Sequence, residues 1–198
     1  RVFVNQEGKF GNPVGIILDE ERKINSQERQ EIATGLGFSE SVFINDKNTG
    51  DVNIHNPQKE IKFAGHAILG TAWFINDTNE KKIDSLKCAG GEIPTWSVDN
   101  LTWIRASLSI MPPWNYEQVG NTKIVEDILV KDTISKMHTV VWSWLDRDKG
   151  VVRARTFASD WWIPEDQANG SGSMLLSFNL GRELQVIHGQ GSIIFAKP

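Results

Sequence analysis

Two segments constrain the fold of this chain more than anything else in it. Phe63-Ala-Gly-His-Ala-Ile-Leu-Gly-Thr-Ala-Trp-Phe-Ile75 is a small-residue loop that runs into a stretch apolar on nearly every face. Asn169-Gly-Ser-Gly-Ser-Met-Leu-Leu-Ser-Phe-Asn-Leu180 repeats the plan. A helix of that composition needs burial all round. The pattern therefore predicts helices from about Gly65 to Ile75 and from about Ser171 to Asn179, both mostly buried.

The remaining pattern supplies strands to bury them. Val2–Val4, Val14–Leu18 and Val42–Ile44 are β-prone, and Gly8–Pro13 is a turn-rich loop. Val52 and Ile54 alternate with Asn53 and His55, and Ile61 and Phe63 continue in that style, as in a half-buried strand. Lys82–Lys87 and Leu101–Ile110 are strand-like as well. Asn25-Ser-Gln-Glu28 has capping-box spacing, which predicts a helix from about Ser26 to Leu36, ended by Gly37. The whole divides into two halves of related plan, residues 1–90 and 91–198, with the boundary near Ala89-Gly-Gly91.

Composition excludes several classes. Hydrophobic residues are 39 % and charged residues 23 %, ordinary for a soluble globular protein of 198 residues. A net charge of −4 leaves no basic footprint for nucleic acid. No apolar run approaches the ~20 residues of a membrane span. One cysteine, Cys88, rules out an internal disulfide framework and fits a reducing cytoplasm. No signal-peptide pattern opens the chain, so a cytoplasmic location is expected. The chain begins at Arg1 directly in strand-like sequence, so a few residues are expected to precede it in the natural protein. His55, His138 and His188 form no H-x-x-x-H pattern, and no dedicated zinc site is expected. No phosphate-binding loop or G-x-S-x-G elbow occurs, and Gly189-Gln-Gly191 lacks the third glycine of a dinucleotide fingerprint.

Several residues suit acid–base chemistry. A buried helix that follows a glycine loop presents free N–H groups and a positive dipole end, which favours anions. Gly65 and Gly170 each open such a helix, although plain capping explains the same residues. Glu40 lies in Phe38-Ser-Glu-Ser-Val-Phe43, where apolar neighbours can desolvate a carboxylate and suit it to proton transfer. An exposed loop glutamate is the plainer account. His66 starts the first apolar helix, where the positive end disfavours an imidazolium. Asp166 precedes the second glycine loop and fits either a site or a turn. Seven of the eight tryptophans lie at or after Trp96, which suggests core, subunit-interface or pocket packing.

In order, these segments resemble the PhzF-like isomerase family. Val2-Phe-Val with Gly11-Asn-Pro-Val14 is similar to its first hairpin, and Phe38–Phe43 to its catalytic-glutamate segment. Lys59–Gly70 carries a Phe-Ala-Gly-His signature, and Val152–Phe157 with Glu165–Ser171 resembles a second one. Gly189-Gln-Gly191 resembles the start of the final strand. Gln167, Asn169 and Gly172 depart from the second signature, and the second half is short for the family.

The resemblance implies an α+β fold of the diaminopimelate epimerase type. It has two similar lobes, each a curved mixed sheet wrapped round one buried helix, with the active site expected between them. It implies a homodimeric, cofactor-independent isomerase that shifts a proton on, or epimerises, a small carboxylate-bearing molecule. Glu40 would be the acid/base, with Asp166 and His66 beside it and Gly65, Gly170 and Ser171 binding substrate. The two-cysteine racemisation of related epimerases is excluded, since only Cys88 is present. Two alternatives remain: a non-catalytic small-acid binding protein on the same fold, and an aromatic-rich carbohydrate-binding module, which would need exposed tryptophans on a β face and no buried helices.

Overall fold

A computed structural model describes residues 1–198. The chain forms two compact units. The first comprises Arg1–Val2 and Pro13–Met111, the second Phe3–Asn12 and Pro112–Pro198.

The first unit contains β1 (Gly15–Leu18), α1 (Ser26–Leu36), β2 (Ser41–Asp46), β3 (Asp51–His55), β4 (Glu60–Ile61), α2 (Gly65–Thr78), β5 (Ser85–Cys88), β6 (Gly91–Val98) and β7 (Leu101–Ile104). Its sheet runs β1-β2-β3-β5-β6-β7, with β4 against β3. The β1–β2 and β3–β5 pairs are parallel and the others antiparallel. Val42 and Ile44 of β2 stand opposite Ile54 and Val52 of β3. These four and Leu86 and Ile93 form a core with Ala67, Ile68, Ala72 and Ile75 of α2. Burying each large aliphatic contributes about 1.5–3 kcal/mol. Gly70 lets α2 come close: a Cβ there would stand 2.8 Å from Val14 Cγ1 and 2.9 Å from Val2 Cγ2.

The second unit contains β8 (Asn115–Gln118), α3 (Thr122–Asp127), β9 (Thr139–Asp146), β10 (Val151–Ala158), β11 (Ile163–Asp166), α4 (Gly170–Leu180), β12 (Leu184–His188) and β13 (Ser192–Ala196). Its sheet runs β13-β12-β10-β9-β8, with β11 against β10. The β8–β9 and β10–β12 pairs are parallel. Leu176 of α4 packs in the core with Val140, Trp142, Val152, Ala154, Val186 and Ile194. Each unit is thus a mixed sheet with one core helix, the expected α+β plan. Two helices built into cores leave no room for the carbohydrate-module alternative.

The capping box at Asn25 and Glu28 forms as expected, and Gly37 ends α1 in the left-handed region at φ 64°. Five expectations need correction. The boundary falls at Met111/Pro112 rather than near residue 90, because Ala89-Gly90 is the tight turn of the β5–β6 hairpin and β6 and β7 extend the first sheet. Val2–Val4 is no strand: Phe3 sits at φ 65°, and its carbonyl accepts from Ile193 N–H, tying this stretch to the second unit. Lys82–Lys87 pairs only from Ser85, and Leu101–Ile110 ends as a strand at Ile104, with a 3-10 turn over Leu108–Ile110. Neither apolar helix is buried all round, since Trp73 is 56 % and Phe178 52 % exposed. No helix is long and apolar enough to cross a membrane.

Candidate active site

Glu40 occupies the short link between the Gly37 cap and β2, and its carbonyl accepts from Gly15 N–H at the start of β1. The β1–β2 pairing therefore fixes the backbone that carries it. Its side chain is 18 % exposed and His66, in the first turn of α2, is 10 % exposed; Glu40 Oε2 lies 2.9 Å from His66 Nε2. That carboxylate oxygen is buried and receives no well-aligned hydrogen bond. The contact is thus short, but that oxygen accepts no directed hydrogen bond. Ser39 Oγ also approaches His66 Nε2, at 3.4 Å.

The N-terminus of α2 is open. Ala64 is its N-cap and supplies no side-chain acceptor. Gly65 is buried, yet a Cβ placed on it would meet only Phe63 Cζ, at 4.0 Å. The chain itself does not fill that space. A carboxylate–imidazole pair can pass one proton between its members, and uncapped amides with a positive helix end favour a negatively charged ligand.

The residues expected in the second unit are arranged differently. Asp166, at the end of β11, accepts from Asn12 Nδ2 at 2.9 Å and Ala168 N–H at 3.1 Å through Oδ1, and from Asn169 Nδ2 at 3.0 Å through Oδ2. Asn169 caps α4, its Oδ1 accepting from Gly172 N–H at 2.5 Å. A Cβ on Gly172 would stand 2.5 Å from that same oxygen, and one on Gly170 would stand 3.0 Å from Phe3 Cζ. Ser171 Oγ accepts from Trp114 Nε1 at 2.8 Å. Tyr116 donates its hydroxyl to the Gly172 carbonyl at 2.9 Å, and burial pushes its pKa up.

So the structure pairs Glu40 with His66 beside Gly65, and separately groups Asp166, Gly170 and Ser171. Sequence reasoning missed Ser39, Asn12, Trp114 and Tyr116 as partners. Ser39 adjoins Glu40 and could have been suspected from that. Asn12 joins Asp166 across 154 positions, and such a pairing leaves no periodic trace.

Elsewhere in the second unit, a cleft of about 510 Å³ is lined by Glu126, Arg153, Arg155 and Glu165. Its arginines are committed to the protein. Arg153 clamps Glu126 and donates to the Ala154 and Ile187 carbonyls. Arg155 clamps Glu165 and donates to the carbonyls of Val125, Glu126 and Ile128. These bonds fasten α3 and β11 to β10. The hydrogen bond from Arg153 holds the Glu126 carboxyl below its ordinary pKa. No group of three or more His, Cys, Asp or Glu side chains is placed to hold a metal ion.

Comparison with known proteins gives a consistent picture. Residues 1–131 match the protein family described as phenazine biosynthesis-like protein. A trans-2,3-dihydro-3-hydroxyanthranilate isomerase of Pseudomonas chlororaphis is 27 % identical over 217 aligned residues, covering 91 % of this chain and 78 % of the relative. Among solved structures, a phenazine biosynthesis protein of the PhzF family from Enterococcus faecalis superimposes with a TM-score of 0.76 at 16 % identity, covering 98 % of this chain and 86 % of the other. A predicted epimerase of Pseudomonas aeruginosa superimposes with a TM-score of 0.66 at 16 % identity, over 98 % and 88 % of the two chains. At those identities the structural matches establish a shared fold.

Proposed function

Because this chain belongs to the phenazine biosynthesis-like protein family, we propose that it is a cofactor-independent isomerase acting on a small carboxylate-bearing molecule. The observation that carries this reading is the Glu40–His66 pair, 2.9 Å apart at the side-chain-uncapped start of α2. Glu40 removes a proton from a carbon activated by its neighbours, becomes a neutral acid whose proton exchanges with solvent, and delivers a proton to another carbon of the same molecule. The carboxylate is regenerated in each turnover, so one residue serves both steps. His66 orients Glu40 and stabilises its carboxylate form between turnovers. The candidate substrate-binding positions are the N–H groups at Gly65 and, in the second unit, Gly170 and Ser171, the serine hydroxyl meeting a substrate carboxylate. Asp166 holds the turn that presents Gly170 and Ser171.

The relatives named trans-2,3-dihydro-3-hydroxyanthranilate isomerases support that compound as the first substrate to try. It should be incubated with the protein in deuterium oxide and followed by proton NMR, alongside other cyclic and amino-acid carboxylates. Isomerisation with deuterium entering carbon is the expected result. Saturable binding with no exchange into any of them would establish the small-acid binding protein instead.

Homodimerisation belongs to the same proposal. It is supported by exposed apolar side chains such as Leu129, Ile134, Met137 and Trp162, the last 88 % exposed. Light scattering that finds only monomer at working concentration would remove it. A cytoplasmic location is supported by the single cysteine, Cys88, which is unpaired. Export of a natural-length, tagged protein would contradict it.

A further inference from the structure

Trp114 lies immediately before β8, and its indole makes one directed polar contact: Nε1 donates to Ser171 Oγ at 2.8 Å. Ser171 follows Gly170 in the first turn of α4. A serine hydroxyl offers one proton and two acceptor lone pairs, and its rotor ordinarily settles its polarity according to what it meets. Here one lone pair is already taken. The only acceptor within the chain for the hydroxyl proton is Asn169 Oδ1, at 3.5 Å. An O–H···O bond is normally near 2.7–2.8 Å. Asn169 Oδ1 is in any case engaged with Gly172 N–H at 2.5 Å. The Ser171 proton is thus turned away from the indole and held by nothing strong.

The choice of tryptophan carries the argument. An indole N–H is donor-only, so it cannot reverse its role as an amide, imidazole or hydroxyl partner could. It forces the oxygen it meets to be an acceptor toward it, and leaves the O–H to donate elsewhere. The ring is also prevented from swinging away. Trp161 packs edge-on against Trp114 at 5.0 Å and stacks on His138 at 4.4 Å. His138 in turn is held by Asp160, through Nδ1 at 2.7 Å and its backbone N–H at 2.9 Å. Two positions further along the chain, Tyr116 pins the Gly172 carbonyl in the same helical turn. The aromatic cluster and β8 together fix the orientation of one hydroxyl.

We propose that Trp114 is a positioning residue that occupies one acceptor lone pair of Ser171 and turns its O–H toward the ligand, and so favours a carboxylate, an acceptor-only group. The chain N–H···O–H···O⁻ is also cooperative, each bond polarising the next. The inference rests on the assignment of Ser171 to the substrate carboxylate made above.

Trp114→Phe keeps an aromatic ring in the cluster and removes only the N–H. The account predicts that KM for a carboxylate substrate rises about 3- to 10-fold, the range of one ordinary hydrogen bond, with kcat within two-fold. Ser171→Ala should raise KM at least as much, and Trp114→Phe should add nothing in the Ser171→Ala background. A merely structural Trp114 would shift kcat with KM and would add to Ser171→Ala. A second readout needs no turnover. The Trp114 indole N–H resonance, identified by its loss in Trp114→Phe, should move in Ser171→Ala, and should shift saturably when benzoate is titrated into wild type but not into Ser171→Ala. An indole resonance indifferent to Ser171→Ala, additive kinetic effects, or a benzoate response that survives without Ser171 would each overturn the proposal. If the protein turns over no carboxylate, the isomerase reading fails, and the benzoate titration still decides the role of Trp114.

Discussion

The first turns of α2 and α4 look alike in sequence, each a glycine-bearing loop running into an apolar helix. In the structure they are opposites. At α4 the chain closes its own helix end: Asn169 caps Gly172 N–H, Asp166 binds Asn169, Ala168 and Asn12, and side chains crowd Gly170 and Gly172. At α2 the cap residue is alanine, no side chain caps the end by a hydrogen bond, and a Cβ at Gly65 would meet only Phe63 Cζ, at 4.0 Å. The carboxylate next to the open end, Glu40, is under-bonded, whereas the one next to the closed end accepts three hydrogen bonds. One helix start lacks a side-chain cap, and the other is closed by its own side chains. A glycine loop therefore says little about function until its donors and acceptors are accounted for.

The comparison can be broken most forcefully at the closed end. Asp166→Ala strips the acceptor from three donors at once, and unsatisfied buried donors dominate such losses. We expect the protein to lose about 3 kcal/mol of stability by denaturant unfolding, with the midpoint shifted and the m-value unchanged. A loss below about 0.5 kcal/mol would mean that Asp166 does not hold the closed end.

A second effect comes from His188, fully buried between Thr156 Oγ1 at 2.8 Å and the Gln167 carbonyl at 3.1 Å. Burial pushes its pKa below the ordinary histidine value. The unfolded chain then takes up a proton near pH 6.5 while the folded one does not, so stability is full above that pH and declines as pH falls below it. The expected slope is at most about 1.4 kcal/mol per pH unit for this one proton. Denaturant midpoints at pH 7.5 and 5.5 check it, and a rise in stability on acidification would contradict it.

The smallest effects bear on the caps themselves. Asn169→Ala should cost about 1 kcal/mol, the usual value of an N-cap. The reciprocal change, Ala64→Ser, gives α2 the side-chain acceptor it lacks. It should leave stability equal or raise it by up to about 1 kcal/mol, while weakening substrate binding because the amides gain an internal partner. Equal activity in Ala64→Ser and wild type would show that the open end is not used.

Much of this was legible in the sequence, and for identifiable reasons. α1 followed from Asn25, Glu28 and Gly37, since capping chemistry is local. The cores of α2 and α4 followed from their apolar runs, as did β2 from its β-prone apolar run and β3 from its alternation. Trp73 and Phe178 defied the pattern because an apolar run does not say which side faces water. The boundary was misplaced because Ala89-Gly90 has the composition of a linker and the geometry of a hairpin turn. Glu40 and His66 were each singled out from local context, but their pairing depends on how β2 and α2 pack. The roles of Asn12 and Trp114 depend on contacts across 154 and 57 positions, which no local pattern encodes.

The central claim is that the open end of α2, with Glu40, is where a proton changes carbon. Its most direct test is the incorporation of solvent deuterium into substrate carbon, measured by NMR for wild type and Glu40→Gln side by side. The amide keeps the shape of the side chain and its capacity to hydrogen-bond, but has no transferable proton at neutral pH. General acid–base groups are worth roughly 10²- to 10⁴-fold in rate, and a residue that serves as both base and acid belongs at the upper end. The account predicts exchange reduced by that factor, with ligand affinity changed only a few-fold and the unfolding midpoint near that of wild type. Equal exchange in the two proteins would contradict it and take Glu40 out of the mechanism.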